Sequence, residues 1–81
     1  MSLTEEEKFK RKIEAMLTEL SLKNNIPYQE AKNIYNDYLG AISDIGIDFV
    51  SSHLIYYFDL RMKMSKEMAF KKFRDFVFNE K

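Results

Sequence analysis

Residues 49–62, FVSSHLIYYFDLRM, constrain the fold more than any other stretch: nine of the fourteen are apolar, and six of those fall between Leu54 and Leu60. Ile, Tyr and Phe favour sheets, but strands rarely run to such a length and no turn residue divides this one, so the stretch reads as a helix. On that helix only Ser52, Asp59 and Lys63 make a coherent polar wedge. A helix apolar on most of its sides is either buried among several neighbours or completed by another molecule. The rest of the chain has to supply that cover.

Three further helices are expected. Thr4 with Glu5, Glu6 and Glu7 forms a capping box with acids on the positive end of the helix dipole, which starts a helix over residues 5–23. Phe9, Ile13, Met16, Leu17 and Leu20 recur at three- and four-residue steps, with Lys10, Arg11, Glu14, Thr18 and Ser21 on the other side. Asn24 and Asn25 suit a left-handed terminus, and Pro27 keeps the residue before it out of helical geometry. Pro27 then opens a second helix over 28–45, where its missing N–H costs nothing. Tyr28, Ala31, Ile34, Tyr35, Tyr38, Leu39, Ala41, Ile42 and Ile45 form its stripe, and the pattern runs through Gly40 on the polar face. Gly46 is the stop, and Asp48 the expected N-cap of a third helix over 49–63. Ser65 caps a fourth over 66–78, with Ala69, Phe70, Phe73, Phe76 and Val77 as its core face and Lys71, Arg74 and Phe78 on a different one. The expected fold is all-α, a small antiparallel four-helix bundle.

A shift of 38 residues lays residues 26–39 on 64–77, with Ala31 on Ala69, Tyr35 on Phe73 and Tyr38 on Phe76. The preceding helices follow, with Leu17 on Ile55 and Leu22 on Leu60. Two similar helical hairpins would produce this register, as would any two capped amphipathic helices slid until their apolar residues coincide.

At 81 residues the chain reads as one domain, near the size at which a single core leaves little stability to spare. Residues 1–3 precede the first cap and read as a leader outside the fold. A hydrophobic share of 46% with 32% charged residues excludes a disordered chain. There is no cysteine, hence no disulfide framework and no thiolate metal site, which favours a reducing, cytoplasmic setting. The charged first twelve residues exclude a secretory leader. The richest apolar window is too short for a membrane span and is interrupted by His53, Asp59 and Arg61.

No catalytic, cofactor-binding or metal-binding constellation is visible. His53 is the single histidine and reads as a packed core residue, because without a nucleophile or further ligands it makes neither a triad nor a metal site. Two glycines cannot build a phosphate-cradling loop. Glu5, Glu6 and Glu7 point around their helix and face no second group of acids. Tyr28, Tyr35, Tyr38, Tyr56 and Tyr57 serve first as core and rim packing. The sequence carries no motif that assigns a family.

What it does carry is excess apolar surface and an uneven distribution of charge. Thirteen cations balance thirteen acids overall, yet residues 24–60 hold one lysine against five acids and residues 61–74 hold six cations against Glu67 alone. The first expectation is a non-enzymatic protein–protein interaction module, an adaptor or regulator that forms a homodimer through Phe49, Leu54, Tyr56, Tyr57 and Phe58. The alternative is a nucleic-acid-binding regulator that uses Arg61, Lys63, Lys66, Lys71 and Arg74 with the neighbouring ring of Phe78. Balanced total charge and a turn without glycine before the last helix weigh against the second.

Overall fold

Local chemistry at the helix ends sets the element bounds. A computed structural model of the chain describes residues 3–79, so that Met1 and Ser2, two of the three residues expected to precede the fold, lie outside the described residues. Four helices follow in order, α1 (Glu5–Asn24), α2 (Tyr28–Ile45), α3 (Ser51–Lys63) and α4 (Lys66–Asn79). No strand occurs among the described residues, and the all-α class is as expected. The chain divides into two compact units, one up to Asn33 and one from Ile34 onward, with the division inside α2.

The first unit holds α1 and the opening of α2. The Thr4 hydroxyl accepts from the Glu7 N–H at 3.1 Å and the Glu7 carboxylate accepts from the Thr4 N–H, also at 3.1 Å, completing the capping box. Those bonds to Thr4 hold the Glu7 carboxyl below its ordinary value. At the other end Asn25 takes the left-handed conformation, φ 55°, and the Ile26 N–H reaches back to the Ser21 carbonyl at 3.0 Å. The buried residues of α1 are Ile13, Leu17 and Ser21, whereas Phe9 is exposed. The buried line therefore follows steps of four and takes in a serine expected on the polar side. Ser21 is accommodated because its hydroxyl donates to the Thr18 carbonyl at 2.9 Å. The Pro27 carbonyl accepts from the N–H groups of Glu30 and Ala31 and so opens the ladder of α2.

The second unit is organised around rings. Ile34, Tyr38, Ala41 and Ile42 of α2, Leu54, Tyr57, Phe58 and Leu60 of α3, and Ala69 and Phe73 of α4 are buried. Phe73 is the hub: its ring lies 5.6 Å from Tyr57, 5.8 Å from Tyr38 and 5.8 Å from His53, all edge-on. Such pairs contribute about 0.5–1.5 kcal/mol each beyond their buried area. With Tyr57 on Phe73 and His53 on Phe76, α3 and α4 pack antiparallel across the two-residue link Met64–Ser65. Ser65 caps α4, its hydroxyl accepting from the Met68 N–H at 3.3 Å.

The connection from α2 to α3 departs from expectation. Gly46 ends α2 with φ 84°, and the Ile47 N–H bonds the Ile42 carbonyl at 3.0 Å, as a left-handed helix stop requires. Asp48, however, is exposed and caps nothing, and α3 starts at Ser51 instead of Phe49, with Val50 as the extended N-cap residue. The cause is Tyr38. Its hydroxyl donates to the Val50 carbonyl at 3.1 Å and accepts from the Val50 N–H at 3.3 Å, while its ring meets Phe49 edge-on at 5.8 Å. A buried phenol that takes both backbone groups of one residue satisfies itself and holds that residue extended. Burial raises the Tyr38 hydroxyl above its ordinary value.

The 38-residue register does not extend to burial. Ala31 and Ala69 are both fully buried, but Tyr38 is buried where Phe76 is exposed, and Leu22 is exposed where Leu60 is buried.

Candidate functional site

Candidate surfaces in the second unit follow from which side of each helix is left uncovered. On α3 the exposed positions are Ser52, Ile55, Asp59 and Lys63, one line at three- and four-residue steps. It is the expected polar wedge with Ile55, 47% exposed, set into it. Of the five residues expected to self-associate, Leu54, Tyr57 and Phe58 are core residues with essentially no exposure. They offer no surface to a partner while the chain is folded. Phe49 and Tyr56 remain half-buried at the rim.

The basic residues separate in the same way. Arg61 donates to the Asp37 carboxylate at 2.6 Å and to the Tyr57 hydroxyl at 3.3 Å, and its guanidinium lies 5.9 Å from the Tyr57 ring. Lys66 reaches the other oxygen of Asp37 at 3.3 Å, and Lys63 pairs with Asp59 at 3.1 Å. Burial works to raise the Asp37 carboxyl, but the hydrogen bonds and charges of Arg61 and Lys66 outweigh it and leave it below its ordinary value. Desolvation likewise works against the Arg61 charge, and Asp37 and Tyr57 more than offset it. Arg61 is thus committed within the chain, Lys63 and Lys66 have acidic partners but stay largely exposed, and the basic residues of 61–74 left without an acidic partner are Lys71, Lys72 and Arg74. These are exposed and make no ion pair among the described residues. Phe78, 62% exposed, shares the outward side with Lys71 and Arg74.

Two grooves flank this region. One, about 410 Å³, is lined by Asn36, Asp37, Asp44, Tyr57, Lys66 and Phe70, among others. Its carboxylate at Asp37 is already neutralised by two cations, and among the described residues no three His, Cys, Asp or Glu groups converge as a metal site needs. The other, about 460 Å³ and open, is lined by Tyr56, Lys72, Asp75, Phe76 and Asn79. The rings of Tyr56 and Phe76 stand 4.5 Å apart in it. Phe76, read from sequence as core, is 39% exposed, and Met68 is 50% exposed. Phe76 lies toward one edge of the buried strip that runs through Ala69 and Phe73, so the packed helices reach only part of its ring. Its spacing from Met68 and Lys72 was the available signal for this face. His53 is half-buried with its ring edge-on to Phe73 and Phe76.

Compared with protein-family models, with curated proteins and with solved structures, the chain matches none. Functional inference therefore rests on the side chains themselves.

Proposed function

We propose that this chain is a non-enzymatic, cytoplasmic interaction module that associates with a second copy of itself. The observation that carries the reading is the apolar surface on one face of α4, where Met68 and Phe76 are exposed, with the half-buried Tyr56 of α3 against Phe76. Exposed rings and methionines grouped on one face gain by being covered, and rings with few rotors lose little entropy when they are. The absence of cysteine supports a reducing compartment, and no helix among the described residues is long and apolar enough to cross a membrane.

Light scattering over a rising concentration series tests it. The expected mass climbs from 9.7 kDa toward twice that value at high micromolar protein. A mass that stays monomeric throughout overturns the reading.

A second reading, nucleic-acid binding, draws on Lys71, Lys72 and Arg74, which are exposed without an ion pair among the described residues. Titration of labelled duplex and single strands at low salt decides it. Binding that weakens with salt and with combined Lys71→Glu and Arg74→Glu supports it, and absence of binding removes it.

A further inference from the structure

We infer that the second copy docks by laying its own α4 antiparallel on this one about a twofold axis, along the face that carries Met68, Lys72, Asp75, Phe76 and Asn79. The inference rests on the self-association reading and names its surface. These five residues recur at steps of four, three, one and three, the spacing by which one helix presents a seam to another. All five are exposed, and four of them, with Tyr56, line the open groove.

Charge selects the occupant. Lys72 and Asp75 lie side by side on the seam with opposite signs, and neither makes an ion pair among the described residues. An anionic polymer would satisfy Lys72 and be repelled by Asp75, and a cationic one would do the reverse. A second copy related by a twofold satisfies both at once, because in an isologous contact each residue of a pair meets the other twice. Setting Lys72 opposite Asp75 in antiparallel register also sets Met68 opposite Asn79, and the two Phe76 rings then flank the axis. Tyr56, 4.5 Å from Phe76, walls the outer side of each ring. A single helix seam buries less than the roughly 800 Å² per partner of a standard interface, so the dimer belongs to the weak class.

Sedimentation equilibrium on the full chain and four variants tests the seam, with circular dichroism confirming unchanged helicity. Lys72→Glu places two acids across the axis from two acids, and Asp75→Lys does the same with cations. Each is expected to weaken dimerisation by about tenfold or more. The double variant Lys72→Glu with Asp75→Lys exchanges the signs and is expected to recover wild-type association. An equimolar mixture of the two single variants is expected to form the mixed dimer in preference to either homodimer. Phe76→Ser is expected to weaken association with both charges intact. Single variants that dimerise like wild type, or a double variant that stays monomeric, overturn the seam while leaving self-association standing. A wild-type chain that is monomeric at every concentration overturns both.

Discussion

Two helices of nearly equal length, α3 with thirteen residues and α4 with fourteen, face each other in the second unit and use their apolar side chains in opposite ways. Leu54, Tyr57, Phe58 and Leu60 bury most of the circumference of α3, leaving the narrow line of Ser52, Ile55, Asp59 and Lys63 to solvent. Only Ala69 and Phe73 of α4 are fully buried, while Met68, Phe76 and Phe78 are exposed. The number of apolar residues on a helix limits what it can bury, and the number of neighbours around it decides what it does bury. Each helix carries seven apolar residues, so the supply is equal and the neighbours decide: α3 is the interior helix, and α4 carries the apolar surface.

The comparison breaks most sharply at the core. Phe58→Ala on α3 and Phe73→Ala on α4 each remove a fully buried ring and are expected to cost about 3–5 kcal/mol, read from urea denaturation. For a chain of this size that is a large part of total stability. A loss under about 1 kcal/mol at Phe73 would show that α4 is not held by its one fully buried ring.

Next in size is the ion pair that both helices make with Asp37. Arg61 of α3 keeps 19% of its side chain exposed and Lys66 of α4 keeps 60%. Arg61→Ala strands a partly buried carboxylate and is expected to cost about 1.5–3 kcal/mol, whereas Lys66→Ala removes a mostly exposed pair, expected to cost about 0–1 kcal/mol. Equal losses in thermal unfolding would erase the asymmetry between the two helices. The same carboxylate sets an acid limit. Its folded pKa is depressed below the ordinary 3.8, so its stabilisation is complete above the unfolded value and is lost as pH falls through the folded one. Asp37→Asn is expected to be less stable at neutral pH and to show a flatter decline below about pH 4.

Features that depend on a few neighbouring residues were legible in the sequence. The Thr4–Glu7 box, the left-handed stops at Asn25 and Gly46 and the Ser65 cap all act within a turn, so a short window contains every atom involved. The start of α3 was not legible, because Val50 is held by a tyrosine twelve positions earlier, and no local pattern distinguishes that from a cap at Asp48. Nor was the division of the basic residues. Arg61 and Lys66 are paired with an aspartate on another helix, whereas Lys71 and Arg74 have identical chemistry and no such neighbour. The apolar period grouped Phe76 with Phe73 because it identifies which residues share a side, and it is silent on how far a neighbouring helix reaches around that side. The same limit turned the ring-rich stretch from Leu54 to Leu60 into an expected interface when most of it is core.

The smallest expected effect separates the two exposed sides of α4 from each other. Phe78 is the more exposed of its rings, yet it lies with Lys71 and Arg74, away from the line of Met68, Lys72 and Phe76. If the seam is the contact, Phe78→Ser changes stability by less than about 0.5 kcal/mol and leaves the dimerisation constant where it was. Phe76→Ser, with a smaller exposed fraction, weakens association. Exposure alone would rank these two rings the other way round, so the pair of variants distinguishes a specific seam from general stickiness of uncovered rings. A Phe78→Ser chain that dimerises more weakly than Phe76→Ser would move the contact to the basic side of α4, where Lys71 and Arg74 would then face their own images across the axis. Such an interface has to overcome like-charge repulsion, and it would strengthen with added salt where the Lys72–Asp75 seam weakens.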